Sequence, residues 1–73
     1  MPRYRITASR WDTMPQIIER FMALGDDMAI SMFDDRYVND RRYRFSKLVL
    51  EKTDERYEDP PVHIKTKEIE YDA

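Results

Sequence analysis

The sequence predicts a small α+β domain in which one amphipathic helix packs on an antiparallel sheet, in the order β-α-β-β-β. Two observations predict this class: apolar residues recur with helical spacing in one segment, and with a period of two in segments on either side. Hydrophobic residues make up 41% of the 73 residues, enough for a small core, while 38% are charged and keep the surface hydrated. We therefore predict a single domain over residues 1–73.

The first strand is predicted near the amino terminus, where apolar and polar side chains alternate. One face carries Tyr4, Ile6 and Ala8, and the other carries Arg3, Arg5 and Thr7. This strand is expected to turn an apolar face to the core and a basic face away from it.

The helix is predicted over residues 14–24, from apolar residues that have the spacing of one helical face. These residues are Met14, Ile17, Ile18, Phe21 and Met22. Thr13 and Gln16 have the spacing of a capping box. Gly25, the only glycine, stands where a helix ends in a left-handed C-cap.

Residues 28–33 form a short apolar run that is predicted as the second strand. The same run also fits a second helix that begins at Asp26 or Asp27. The buried side of that helix would carry Ala29, Ile30, Phe33 and Tyr37. This alternative, β-α-α-β-β, makes a helix-turn-helix hinge at Gly25, but Asp34 and Asp35 on its second helix repel phosphate and disfavour DNA binding.

The carboxyl-terminal half is predicted to form two strands joined by an acidic segment. The third strand spans residues 43–51, and a change of side in its apolar residues predicts a β-bulge near Ser46 and Lys47. Residues 53–61 form a connecting segment rich in acidic residues that ends in Pro60 and Pro61. Residues 62–71 are predicted as a last, partly exposed strand.

The composition indicates a protein without catalytic activity. With no cysteine, one glycine and one histidine, the chain lacks the common nucleophilic, redox and phosphate-binding motifs. Its acidic clusters lack the spacing of a calcium loop. We therefore predict that the protein is not an enzyme and needs neither a cofactor nor a metal. The sequence contains no signal-peptide pattern and no apolar run of membrane-spanning length, so a cytoplasmic location is expected.

Arginine and tyrosine are most densely interleaved in residues 36–45, which we predict to be the partner-binding site. Its contact residues are predicted to be Arg36, Tyr37, Arg41, Arg42, Tyr43 and Arg44. Both residue types dominate the binding energy of many protein interfaces, and they also hold RNA through phosphates and stacked bases. The competing interpretation is an exposed loop with solvated arginines and two aromatic rings turned into the core.

A second, acidic contact is predicted after residue 50. Its residues are Glu51, Asp54, Glu55, Glu58 and Asp59. An extended acidic segment fits a basic groove on a partner or imitates a nucleic-acid backbone. The net charge is −2, but basic residues outnumber acidic ones by nine to seven in residues 1–47, and acidic residues outnumber basic ones by eight to four in residues 48–73. This asymmetry favours a partner of mixed charge.

These features predict a non-enzymatic protein-binding regulator, of the kind that bacteriophages or accessory genes use to inhibit or redirect a larger machine such as RNA polymerase or a nuclease. The alternative is an RNA- or DNA-binding protein that uses the arginines and tyrosines of residues 36–45. A third possibility is a structural subunit that self-associates through an open sheet edge.

Overall fold

A computed structural model of the chain describes residues 1–10, 13–43, 46–53 and 60–68. The strands are β1 (Arg3–Ser9), β2 (Gln16–Met22), β3 (Lys47–Thr53) and β4 (Val62–Lys67). Helix α1 (Asp26–Phe33) continues into a π-helical segment (Asp34–Val38), and a 3₁₀ turn (Arg41–Tyr43) follows. The strands form one antiparallel sheet in the order β2-β1-β3-β4, and α1 packs on one face of it.

The α+β class, with a helix on a small antiparallel sheet, is confirmed. Along the chain the elements run β-β-α-β-β, so the helix and the second strand stand in exchanged places relative to the prediction. Strand β1 is confirmed and lies inside the sheet: Tyr4 and Ile6 are buried in the core and Ala8 packs against it. Its basic side chains, Arg3 and Arg5, point to the face of the sheet opposite α1.

The helix predicted over residues 14–24 is wrong, because these residues form β2, an outer strand of the sheet. Ile6 pairs with Glu19 and Thr7 pairs with Ile17, so Ile18 is an extra residue in a β-bulge. The bulge interrupts the period of two, and Ile18 and Phe21 both reach the core although they are three residues apart. A bulged strand therefore imitates the spacing of a helix face.

The strand predicted over residues 28–33 is also wrong, and the alternative helix is the correct interpretation. Ala29 and Phe33 are buried, and Ile30 and Tyr37 pack against the same core, as one helical face requires. Asp26 and Asp27 occupy the first turn, where negative charge interacts favourably with the helix dipole. Because the preceding residues form a strand, no helix-turn-helix is present at Gly25.

Gly25 caps the start of α1 rather than the end of a helix. Its backbone is extended, with φ −171° and ψ 179°, and its carbonyl accepts a hydrogen bond from the Ala29 amide at 3.1 Å. This conformation suits any residue, and a Cβ added here meets no atom within 4 Å.

Replacing this glycine is expected to stabilise the domain. In Gly25→Ser, the hydroxyl caps the amides of the first turn and the unfolded chain loses flexibility, for a combined gain of about 0.5–1 kcal/mol. Urea unfolding of the variant and the parent measures the difference. A loss of more than about 1 kcal/mol is the result expected of a left-handed C-cap, and it would contradict the extended N-cap seen here.

The remaining strands differ from the prediction mainly at their ends. β3 begins at Lys47 and pairs with β1 in an unbroken register, so the bulge predicted near Ser46 and Lys47 is absent from the described residues. The irregularity instead lies in β4, where Ile64 is the extra residue between the partners of Leu50 and Glu51. β4 confirms the predicted last strand as far as Lys67, while residues 69–71 lie outside the described part of the chain.

Polar contacts attach α1 and its π-helical extension to the sheet. Asp26 accepts a hydrogen bond from the Tyr4 hydroxyl of β1 at 2.7 Å and lies 3.7 Å from the ammonium of Lys52 in β3. Asp34 accepts a hydrogen bond from Lys65 of β4 at 2.8 Å. These contacts fix the helix over the sheet and thereby set the position of the residues that follow it.

Candidate functional site

The predicted partner-binding residues fall in two places. Arg36 and Tyr37 lie in the π-helical segment, whereas Arg41, Arg42 and Tyr43 form the 3₁₀ turn. Arg44, the sixth predicted contact, lies outside the described residues. The helix-end pair and the turn lie in different elements and meet where the rings of Tyr37 and Tyr43 contact each other.

The helix-end pair is engaged within the domain. Glu19 of β2 accepts hydrogen bonds from Arg36 Nη1 at 2.6 Å and from the Tyr37 hydroxyl at 3.0 Å. Burial, together with this hydrogen bond to Glu19, raises the pKa of Tyr37 to about 12. That these two residues contact a partner stays a prediction; within the domain they attach the helix end to β2.

Two tyrosines, the buried Tyr4 and the partly buried Tyr37, are expected to make the fold sensitive to alkali. Burial and the hydrogen bond to Asp26 raise the pKa of Tyr4 to about 12, as happens at Tyr37. Because the pKa of each tyrosine is higher in the folded chain than in the unfolded chain, its contribution to stability is complete below pH 10.0. That contribution is lost as the pH rises toward 12. Stability of the Tyr4→Phe/Tyr37→Phe variant, measured by urea unfolding from pH 8 to 12, should fall less steeply than that of the parent; equal slopes would contradict this account.

The turn itself is held by Asp40. Its Oδ1 accepts a hydrogen bond from the backbone N–H of Arg42 at 2.9 Å, and its Oδ2 accepts one from Arg42 Nη2 at 2.7 Å. The side-chain hydrogen bond from Arg42 holds the pKa of Asp40 below its ordinary value. The side chain of Arg42 is still 80% exposed. Arg41 is exposed as well, and no acidic residue in the described part of the chain pairs with it.

Aromatic contacts set the inner side of the turn. The rings of Tyr37 and Tyr43 meet edge to face, with their centroids 5.3 Å apart. The guanidinium of Arg42 lies 5.8 Å from the centroid of the Tyr43 ring. Tyr43 is partly exposed, and these contacts hold its ring in place.

A groove of about 270 Å³ lies between this turn and the connection from β1 to β2. Its wall includes Arg42 and Tyr43 on one side and Arg10, Met14 and Gln16 on the other. Met14 is 84% exposed, although the sequence placed it on a buried helix face. We call this surface the turn groove.

Thr13 shapes the far wall of the turn groove. Its hydroxyl accepts a hydrogen bond from the Arg10 amide at 2.9 Å, and its own amide donates to the Arg10 carbonyl at 3.0 Å. The capping box predicted for Thr13 and Gln16 is therefore wrong, because Thr13 closes the connection between two strands. Sequence reasoning missed Arg10 and Met14 as site residues, since only the pairing of β1 with β2 brings them to the turn.

The predicted acidic contact is only partly described. Glu51 lies in β3, where its carboxylate is 3.2 Å from Arg5 Nε of β1, and its side chain is 19% exposed. The Glu51 carboxylate is therefore already paired with a side chain of the neighbouring strand. Asp54, Glu55, Glu58 and Asp59 lie outside the described residues.

The described residues contain no cluster of three or more His, Asp or Glu side chains suited to hold a metal ion. None of the helices in these same ranges is long and apolar enough to cross a bilayer. The turn groove presents cations, an aromatic ring and an exposed thioether.

Comparisons of the chain with protein-family models, with curated proteins and with solved structures found no match in any of the three. The residues of the turn groove are therefore the basis of the functional assignment.

Proposed function

We propose that this protein is a non-enzymatic, cytoplasmic regulator that binds a larger protein through the turn groove. By occupying a surface of that protein, it inhibits or redirects it, as small bacteriophage or accessory proteins do with machines such as RNA polymerase or nucleases. The observation that supports this proposal is the meeting of Met14, Arg42 and Tyr43 at one groove. Aromatic residues, methionine and arginine are the types enriched at protein interfaces.

The physical properties of these side chains suit an interface. Met14 gains apolar contact when a partner covers it, because most of its surface now faces water. Arg41 and Arg42 supply planar donors for carboxylates, and Tyr43 supplies a ring whose position is already fixed by Tyr37. A rigid anchor loses little conformational entropy on binding. The groove is smaller than a typical interface, so we expect it to be the centre of a wider contact.

Charge favours a protein partner over nucleic acid. The chain carries a net charge of −2, and Asp40 already pairs with Arg42 in the turn. Nucleic-acid binding depends on several cations that each neutralise a phosphate, which gives a steep dependence on salt of about 0.9 log unit per contact. A partner bound through the turn groove should instead survive nuclease treatment and moderate salt.

Truncation of the exposed methionine tests this proposal. Met14→Ala should weaken capture of the partner from a lysate of the native host by about tenfold, because the side chain is a central apolar contact. Leu24→Ala is the matched control: Leu24 is 73% exposed and follows the far end of β2, away from the groove. It should leave capture unchanged. Equal capture by both variants and the parent would exclude Met14 from the interface.

A further inference from the structure

The outer edge of β2 is unusually open to another strand. β2 is a seven-residue strand at one edge of the sheet, and among the described residues only β1 pairs with it. Two of its outward side chains, Ile17 and Met22, are 41% and 55% exposed. An exposed apolar edge strand is a template for pairing with another chain.

The opposite edge of the sheet is better protected. β4 carries Lys65 and Lys67, which turn toward the helix side and bond to Asp34 and to the Tyr43 carbonyl. Inward-pointing lysines are a common protection of an edge strand. β2 has one such inward charge, Glu19, against the two lysines of β4, and its bulge at Ile18 leaves a regular stretch from Glu19 to Met22. The available backbone edge is therefore that of β2.

Positively charged side chains lie beside this edge, on the sheet face opposite α1. Arg20 of β2 lies directly opposite Arg5 of β1, and Met22 lies opposite Arg3. Like charges placed opposite each other are destabilising, and Glu51 offsets part of this repulsion through its ion pair with Arg5. The unfavourable pair favours a ligand that brings negative charge to this place.

A shallow groove of about 270 Å³ lies over the paired strands β1 and β2 beside this edge, lined by Arg3, Arg20 and Met22 and by parts of Tyr4 and Phe21. Arg3 and Arg20 each already have an interaction within the molecule, so an acidic ligand competes with that interaction. No Phe, Tyr or Trp among the described strand residues faces this side, so the base stacking that RNA requires is missing here.

We propose that an extended, acidic peptide segment of the partner adds to β2 as a fifth strand, with an acidic residue beside Arg20 and an apolar residue beside Met22. Main-chain hydrogen bonds supply affinity and the alternate side chains supply selectivity. This inference rests on the proposed function, because the strand belongs to the same partner: Gln16, the first residue of β2, also lines the turn groove.

A second copy of this chain is a poorer occupant of the same edge. Residues directly opposite each other in an antiparallel pair of strands point to the same face of the sheet. If a twofold axis relates two copies of β2, the residue at the axis must therefore lie opposite the same residue of the other copy. The registers centred on the middle of the strand place Glu19 opposite Glu19 or Arg20 opposite Arg20. Both registers oppose like charges.

The test uses two synthetic eight-residue peptides with Thr at every second position. The remaining positions hold Val and Glu in turn in the first peptide, called the Glu peptide, and Val and Lys in turn in the second, called the Lys peptide. Titrated into the isotope-labelled protein, the Glu peptide should shift the backbone amide resonances of residues 16–22. The Lys peptide should bind at least about tenfold more weakly. Methylation of alternate peptide nitrogens removes main-chain donors but keeps every charge, so it should also reduce binding about tenfold if the contact is a strand addition.

Charge reversal gives the matched variants. Arg20→Glu should invert the preference, so that the Lys peptide becomes the tighter ligand. Lys47→Glu makes the same charge change at an exposed position of β3, two strands away from the edge, and should leave the preference unchanged. Shifts confined to residues outside β2, no binding of the Glu peptide, insensitivity to methylation, or a dimer of the free chain in sedimentation would each overturn the proposal.

The failure of this inference is distinguishable from failure of the proposed function. If the strand addition is wrong but the regulator function is right, Arg20→Glu captures the native partner as well as the parent does, while Met14→Ala still weakens capture. If the regulator function is wrong, no protein partner is captured by any variant.

Discussion

Phe33→Ala is expected to unfold most of the protein at room temperature. Phe33 is completely buried at the end of α1 and packs with Tyr4, Leu48 and Leu50 in the core. Removing a buried Phe side chain costs about 3–5 kcal/mol, which is about the whole net stability that a core of this size supplies. Far-ultraviolet circular dichroism with urea unfolding measures the loss.

The matched control for Phe33→Ala is Met28→Ala on the same helix. Met28 is 46% exposed, so truncating it should change the free energy of unfolding by less than about 0.5 kcal/mol. If Phe33→Ala also unfolds cooperatively with a loss below about 1 kcal/mol, Phe33 is not a core residue and α1 does not pack on the sheet as described.

The second large effect is expected at the turn groove. Arg41→Glu/Arg42→Glu should weaken partner binding more than about 100-fold, because two donors aimed at the partner become two repelling charges. Both residues lie in the exposed 3₁₀ turn, outside the core. The only described ion pair lost is that between Arg42 and Asp40, and surface pairs of this kind contribute little to stability. The midpoint of thermal unfolding should therefore fall by less than about 5 °C.

Arg41→Lys/Arg42→Lys is the informative control for that variant. It keeps both charges but removes the planar fork, so a protein interface built on carboxylate recognition should weaken by an intermediate amount. A nucleic-acid backbone responds mainly to charge and should bind the lysine variant almost normally. Unchanged binding by the Glu variant would remove the turn from the interface altogether.

Much of the fold can be predicted from residues that interact locally. The alternation of Tyr4, Ile6 and Ala8 with basic residues predicts β1 and its two faces. The spacing of Ala29 and Phe33 is that of a helix, but the short apolar run over residues 28–33 fits a buried strand as well, so the local pattern alone does not decide between them. The error at residues 14–24 has a physical cause: the bulge at Ile18 imitates helical periodicity, and it is detected only through the register with β1.

The candidate site was less accessible to prediction, because its geometry depends on contacts between distant parts of the chain. The composition of residues 36–45 points to the turn that carries Arg42 and Tyr43, but not to the groove that these two residues share with Arg10 and Met14. No local pattern indicates that Glu19 binds Arg36 and Tyr37. Since these contacts join residues 17 or more positions apart, they follow from the sheet topology and cannot be derived from spacing.

We propose that the chain acts by binding another protein through the turn groove. The most direct measurement is quantitative mass spectrometry of proteins captured from a nuclease-treated lysate of the native host by the parent and by Arg41→Glu/Arg42→Glu. We expect one protein partner in near one-to-one amount on the parent and at most about 1% of that amount on the variant. Equal capture by both chains, or loss of every partner after nuclease treatment, would contradict it.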